Sequence, residues 1–243
     1  MNKKFLKFGL IGVALVLVIS VVIKLVAGGK LPSYNYKDAN LVQLQNPKDG
    51  QEIAIINTTL GEFKVMLFRE QAPKAVEHFV NLAKAGYYDG KYIYGVSSPA
   101  YFFAGTTNKD GVIVDKDHKN YDTEMKELDV ETSDDLFPFK GALILLGPDR
   151  KGSGTFITGI NTIEMTDKIK KAFEKQEDAN KDIVNAFLEK GGDPTLAHSY
   201  SIFAQTYEGM DVYEKIFKVD VDKNGRPKDE LKIISIKISN YKA

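Results

Sequence analysis

Side chains with reactive or metal-binding groups are few in this chain and widely spaced. There is no cysteine, which excludes thiolate catalysis, cysteine metal sites and disulfide bonds. The three histidines, His78, His118 and His198, lie far apart and lack acidic partners at ligand spacing, which argues against a zinc site. We therefore expect neither a metal nor a cofactor.

Two short motifs begin like functional loops but do not complete them. Residues 220–225 resemble the start of a calcium-binding loop, but Leu231 stands at the twelfth position, where a bidentate glutamate is needed. Ser153 lies between two glycines, but Lys151 occupies the position of the first glycine in a serine-hydrolase elbow. We interpret the first motif as a turn and expect no serine hydrolase.

Aromatic side chains are the most promising groups for binding. Five of them fall between residues 92 and 103: Tyr92, Tyr94, Tyr101, Phe102 and Phe103. Such rings offer a large apolar area, the tyrosines also carry a hydroxyl group, and together they could line a groove for a peptide. Successive side chains of a strand point to opposite faces, so only about half of these rings can face a groove. Core packing is the alternative for the rest.

The elements that must position these residues are mostly strands. A helix is predicted from Ala72, because Pro73 suits a first helical turn and four apolar residues follow on one face before Gly86. Two further helical stretches between residues 163 and 190 suggest an insertion, placed at about 161–192. Short apolar, β-rich runs occur at residues 53–57, 63–68, 92–96, 101–104, 142–146, 155–158, 199–206 and 231–240. This pattern predicts a mainly β domain over residues 51–243.

An apolar run of twenty residues, 8–27, precedes this body and carries only one charge, Lys24. It is long enough to span a bilayer, and the lysines before it favour a cytoplasmic N-terminus with the body outside. We therefore expect residues 1–30 to form a single-pass anchor in the cell membrane, with a signal peptide cleaved near Ala27 and a secreted body as the alternative. Residues 31–50, polar and interrupted by proline and glycine, are assigned to a linker.

The charge of the body argues against one class of partner. Residues 31–243 contain 28 Lys and Arg against 33 Asp and Glu, a net charge of −5. A mildly acidic domain is poorly suited to nucleic acid.

Several sequence blocks resemble, in order, the cyclophilin family of peptidyl-prolyl isomerases over about residues 52–240. The end of the insertion, residues 191–196, is similar to that of exported cyclophilins from Gram-positive bacteria. The other matching blocks are residues 59–62, 72–76, 86–90, 140–143, 152–158 and 203–212. The resemblance implies a closed eight-stranded antiparallel barrel with capping helices.

The resemblance also implies a function. Cyclophilins hold a proline-containing segment in an apolar pocket and help its X-Pro bond to rotate, against a barrier of roughly 18–20 kcal/mol set by amide resonance. In the family an arginine weakens that resonance through a hydrogen bond at the prolyl amide. A glutamine and backbone groups hold the substrate, and apolar side chains grip the ring.

Most of that catalytic apparatus is replaced in this chain. The arginine position is Gly95, the two glutamine positions are Phe103 and Gly154, and the histidine position is Tyr200. Phe156 and Leu196 keep the family residue. The resemblance therefore assigns substrate binding to Phe156 and Leu196, together with Tyr101, Phe103 and Tyr200, and assigns no catalytic residue.

Losing one preorganised donor typically costs about a hundredfold to a thousandfold in rate. We therefore expect a protein that binds proline-containing segments of exported proteins, or an extracytoplasmic partner, as a folding aid or scaffold with weak or lost isomerase activity. The alternative is an active isomerase that assists secreted proteins, with Arg150, Tyr94 or Tyr200 as the substitute donor.

Overall fold

The computed structural model of the protein describes residues 31–111, 121–149 and 152–243. The apolar run at 8–27, His118 and Arg150 lie outside the described residues. Among the residues that are described, no helix is both long enough and apolar enough to cross a membrane.

Eight strands form one antiparallel sheet, and two short strands pair as a ribbon beside it. The strands of the sheet are β1 (Glu52–Thr58), β2 (Gly61–Leu67), β3 (Tyr92–Ser97), β4 (Tyr101–Thr106), β6 (Ala142–Leu146), β8 (Phe156–Ile160), β9 (Ser201–Glu208) and β10 (Ile233–Asn240), and those of the ribbon are β5 (Glu127–Leu128) and β7 (Ser153–Gly154). The order of strands across the sheet is β10-β1-β2-β9-β6-β8-β4-β3, and β5 pairs with β7.

The expectation of a closed barrel is wrong, because the sheet curls into a half-barrel. Its edge strands, β10 and β3, do not pair as a ladder. Backbone hydrogen bonds join their beginnings, from Gly90 N–H to the Ile233 carbonyl and from Ile93 N–H to the Leu231 carbonyl, both at 2.9 Å. Beyond this bridge β10 pairs with β1 and β3 with β4. The two edges therefore meet only at their ends.

Helix α1 (Pro73–Lys84) packs against the sheet and agrees with the sequence prediction. Proline fits its first position because the missing N–H has no intrahelical partner there. The Glu131 carboxylate accepts hydrogen bonds from the backbone N–H groups of Lys74 (3.2 Å) and Ala75 (2.7 Å). A negative group at this end also complements the helix dipole. The remaining α-helices are α2 (Tyr121–Glu124), α3 (Asp167–Glu174), α4 (Lys181–Lys190) and α5 (Met210–Ile216).

Two groups of buried apolar side chains hold the fold together. One, which we call the α1 cluster, joins α1 and α5 to one face of the sheet and includes Phe79, Phe102, Phe203 and Tyr213. The other, the insertion cluster, joins α3 and α4 to the opposite face and includes Tyr34, Tyr101, Phe137, Phe156 and Phe187.

The two helices predicted in the insertion are present and have side-chain caps. Thr166 accepts a hydrogen bond from Ile169 N–H at the start of α3, and Asn180 accepts from Ile183 N–H at the start of α4. Capping of this kind satisfies backbone donors that have no partner inside the helix.

Part of the segment assigned to a linker, residues 31–50, packs against the body of the domain. Tyr34 is fully buried, and its ring lies 5.4 Å from that of Phe173 and 5.5 Å from that of Phe187. Its backbone N–H donates to Gln176 Oε1 (2.9 Å), and its carbonyl accepts from Asn180 N–H (2.6 Å). Tyr34 is held by partners more than 130 positions away in the chain, which local polarity cannot indicate.

Candidate functional site

An apolar cavity of about 30 Å³ lies between strands β4, β6 and β8 and the loop that follows the insertion. Its floor is buried, whereas Leu196 and Tyr200 are half-buried and form its rim. The lining residues are Tyr101, Phe103, Ile144, Leu146, Thr158, Leu196 and Tyr200.

The alternation of strand β4 decides which aromatic side chains reach the cavity. Tyr101 and Phe103 line it, whereas Phe102 between them points to the α1 cluster, where its ring packs 5.6 Å from that of Tyr213. Gly159, on β8, faces the ring of Phe102, and a Cβ at this glycine would overlap that ring. Glycine at position 159 on β8 therefore leaves room for the ring of Phe102 on β4.

Asp193 ties the floor of the cavity to its rim. This fully buried carboxylate accepts hydrogen bonds from the Tyr101 hydroxyl, from Thr195 N–H (2.9 Å) and from the Thr195 hydroxyl (2.6 Å). It caps the 3-10 helix Pro194–Leu196, which brings Leu196 to the cavity. Burial raises the pKa of Asp193 to about 6, against the lowering effect of the Thr195 hydrogen bonds.

Residues 31–36 support the same loop from outside the cavity. The Tyr34 hydroxyl donates a hydrogen bond to the carbonyl of Pro194. The ring of Tyr36 stacks on that of His198 with 4.8 Å between centroids. Because Leu196 lies between these two attachment points, the N-terminal segment helps to fix the rim.

Gly95 and Phe103, where the resemblance predicts the arginine and the first glutamine, face each other across β3 and β4. Gly95 is the cross-strand partner of Phe103. A Cβ on Gly95 would lie 3.4 Å from Cδ2 of Phe103, so the aromatic ring occupies the space next to the missing side chain. Neither position supplies a hydrogen-bond donor from its side chain.

Gly154, where the resemblance predicts the second glutamine, has no room for a side chain. A Cβ there would lie 2.6 Å from the Cα of Gly147 and 2.8 Å from the carbonyl oxygen of Leu146. Both are backbone atoms, so a glutamine would require the chain to move. The close packing of β7 against the backbone of Leu146 and Gly147 therefore requires glycine at position 154.

The structure brings four of the five predicted binding residues to the cavity: Tyr101, Phe103, Leu196 and Tyr200. Phe156 does not line it. This side chain is buried in the insertion cluster, and its Cδ1 would lie 3.5 Å from a Cβ placed on Gly105. Its part in binding stays a prediction.

Three lining residues were not predicted: Ile144, Leu146 and Thr158. For Thr158 a signal existed, since Phe156 and Thr158 are two positions apart on β8 and share a face. For the two residues on β6 the sequence carried no such signal, because they reach the cavity through cross-strand pairing with β8.

The cavity offers ligands apolar area and hydroxyl groups. None of its described lining residues is charged or carries an amide side chain. The Tyr101 hydroxyl already donates to Asp193, the Thr158 hydroxyl is buried without a partner, and Tyr200 lies at the rim. Burial, helped by the nearby carboxylates of Asp149 and Asp193, raises the pKa of Tyr200, so its phenol stays protonated and can donate.

A curled eight-stranded antiparallel sheet with few helices is the cyclophilin fold. Solved structures agree: a cyclophilin-type peptidyl-prolyl isomerase from Cryptosporidium parvum matches with a TM-score of 0.55 at 20% identity, covering 78% of this chain and 97% of its own. A second structure from this organism, in the presence of the dipeptide Ala-Pro, has a TM-score of 0.55 at 21% identity and covers 77% and 98%. At these identities the likeness shows the fold.

The chain belongs to the cyclophilin-type peptidyl-prolyl isomerase family. The family model "Cyclophilin type peptidyl-prolyl cis-trans isomerase/CLD" matches residues 53–238. A Staphylococcus saprophyticus protein named "Putative peptidyl-prolyl cis-trans isomerase" is 30% identical over 204 residues, which cover 82% of this chain and 98% of the relative. "Peptidyl-prolyl cis-trans isomerase 9" of Schizosaccharomyces pombe is 30% identical over 188 residues, covering 76% of this chain but 25% of that longer protein.

Proposed function

We propose that this protein binds proline-containing segments in its apolar cavity and accelerates rotation of their X-Pro bond weakly or not at all. The observation that carries the proposal is the pairing of Gly95 with Phe103: an apolar ring stands where the family uses polar side chains. Membership of the family supports proline-containing segments as the ligand, and the replaced residues support weak or lost isomerase activity.

The composition of the cavity supports binding. A ligand site needs apolar walls and a few oriented polar groups. Six of the seven lining residues are apolar or aromatic, and Thr158 and Tyr200 add hydroxyl groups. A prolyl ring is larger than the cavity, so a bound ring would also contact the half-buried rim residues Leu196 and Tyr200.

Weak catalysis follows from what the cavity lacks. Only interactions that strengthen in the transition state accelerate a reaction. The described lining residues include no cation to polarise the prolyl amide. A ligand held mainly by apolar contact is bound about equally in its ground state and its transition state.

The second candidate function is an active isomerase with a substitute donor. The Tyr200 phenol favours it, because this hydroxyl lies at the rim and burial keeps it protonated. Arg150, the cationic substitute suggested by the sequence, lies outside the described residues. Under this alternative, the substitution that removes the donor, Tyr200→Phe or Arg150→Ala, would abolish activity.

We place the binding domain outside the cell, tethered to the membrane, where its ligands are exported proteins. The apolar run at 8–27 and the lysines before it support this location. The protein should then fractionate with membranes and be digested by protease added outside. A mature form that starts near Gly28, recovered from the medium, would establish cleavage instead.

Binding is tested by titrating the full-length protein, purified in detergent, with Ac-Ala-Ala-Pro-Ala-NH2 and with the alanine peptide that lacks proline. We expect saturable binding of the proline peptide only. Leu196→Ala should weaken it about tenfold or more, as removal of a buried apolar anchor does. Leu188→Ala is the control, since Leu188 is exposed on α4. No preference for proline, or equal effects of both variants, would contradict the proposal.

A further inference from the structure

Thr158 combines two properties that no other described residue shares. It lines the apolar cavity, and its hydroxyl oxygen is buried without a hydrogen-bond partner. The residue is 2% exposed and lies in the middle of β8 between Phe103 on β4 and Ile144 on β6, which are its cross-strand partners.

An unpaired buried hydroxyl is unfavourable, since it has left water without gaining another partner. Valine has nearly the same shape as threonine and would fill this position without that cost. Most buried polar groups in proteins are paired, so an exception calls for a physical explanation. At Thr158 the explanation available is a partner that arrives with a ligand.

We propose that the Thr158 hydroxyl donates a hydrogen bond to a backbone carbonyl of the bound peptide and thereby orients the prolyl ring in the cavity. The walls around it are apolar, and a single polar group in such a site fixes the orientation of a ligand more than it adds affinity. The assignment rests on the proposed function and extends it: the ligand must present a carbonyl oxygen next to its apolar ring.

The chain offers a matched control at Thr206. This threonine is also buried, at 5% exposure, and its Oγ1 also lacks a partner. It lies on β9, and it is not among the residues that line the cavity. Thr158→Val and Thr206→Val therefore remove the same group from similar surroundings, one inside the cavity and one outside it.

The experiment measures thermal stability and the affinity for Ac-Ala-Ala-Pro-Ala-NH2 on full-length protein in detergent. Both valine variants should raise Tm by about 2 to 4 °C, because each removes an unpaired buried hydroxyl. Thr158→Val should weaken peptide binding about threefold to tenfold, the worth of one hydrogen bond, whereas Thr206→Val should leave it unchanged. A gain in stability with a loss of affinity cannot arise from a purely structural role.

Thr158→Ser separates the hydroxyl from the methyl group. It keeps the donor, so its affinity should stay within about twofold of the wild type, while the lost methyl lowers Tm. Wild-type affinity in Thr158→Val, equal losses in both valine variants, or a serine variant as weak as the valine variant would each overturn the assignment. If the wild type binds no proline peptide, the proposed function and this assignment fail together.

Discussion

The α1 cluster and the insertion cluster lie on opposite faces of one sheet, but they are built differently. The α1 cluster joins α1 and α5 to residues from all eight strands of the sheet, and its side chains are almost all apolar. The insertion cluster collects residues from 31–36, from the loop before β6, from α3 and α4 and from the loop 193–200. It also encloses the buried carboxylate of Asp193.

Gln43 shows how polar groups tie the insertion cluster together. Its side-chain oxygen accepts from Phe137 N–H (2.6 Å), and its Nε2 donates to the Phe137 carbonyl (2.8 Å) and to Gln205 Oε1 (3.0 Å). These contacts join positions more than 90 residues apart. The comparison teaches that the α1 cluster is held by apolar packing, whereas the cluster that forms the cavity also depends on specific buried hydrogen bonds.

The largest expected effect on stability comes from removing one large buried side chain from either cluster. Phe79 (0% exposed) and Phe156 (2% exposed) are buried phenylalanines on the two sides. Each Phe→Ala substitution should lower the free energy of unfolding by about 3 to 5 kcal/mol, as measured by denaturant titration. In protein shown to be folded, only Phe156→Ala should also weaken peptide binding, and the comparison fails if Phe79→Ala weakens it equally.

Lowering the pH should change the free energy of unfolding in opposite directions through Asp193, beside the insertion cluster, and His78, on α1. Burial raises the pKa of Asp193 to about 6 from its ordinary 3.8, so the folded state holds the extra proton between these values. Its contribution to stability is therefore present at low pH and is lost as pH rises through about 6, by an amount on the order of 3 kcal/mol. Asp193→Asn should flatten this part of the curve of unfolding free energy against pH.

His78, on α1, behaves in the reverse way. Burial, helped by the charge of Lys126, lowers its pKa to about 4, so the unfolded state takes up the proton first. Its contribution is present above its unfolded pKa and is lost as pH falls towards 4. His78→Gln should reduce acid destabilisation, and a pH profile unaltered by both substitutions would contradict the assignment.

The smallest effect should come from removing single hydroxyls. The Tyr34 hydroxyl donates to the Pro194 carbonyl in the insertion cluster, and the Tyr213 hydroxyl donates to the Ile160 carbonyl (2.7 Å) in the α1 cluster. Tyr34→Phe and Tyr213→Phe should each cost about 1 kcal/mol of unfolding free energy. Only Tyr34→Phe should shift the methyl NMR signals of Leu196, because Pro194 and Leu196 share one helical turn.

The sequence predicted the α1 side of the molecule well. Pro73 and the apolar face after it predicted α1, and alternation predicted most strands of the sheet, because these signals are local. The same alternation, applied to Tyr101, Phe102 and Phe103, correctly limits which rings can share a face.

The other side was predicted less completely, because its determinants are distant in the chain. The packing of Tyr34 depends on Phe173 and Phe187, and closure of the barrel depends on how far β3 and β10 run together. The absence of space at Gly154 depends on the backbone of Gly147. None of these relations leaves a periodic pattern in the sequence.

The central claim is that the cavity binds a proline peptide without efficient isomerisation. The most direct test measures both quantities on one preparation of the full-length protein: the Kd for Ac-Ala-Ala-Pro-Ala-NH2 and the kcat/KM for its cis–trans exchange, beside a cyclophilin that has the arginine. We predict measurable binding with a kcat/KM at least about a hundredfold below that of the reference. A kcat/KM within tenfold of the reference would contradict the claim and favour the active isomerase.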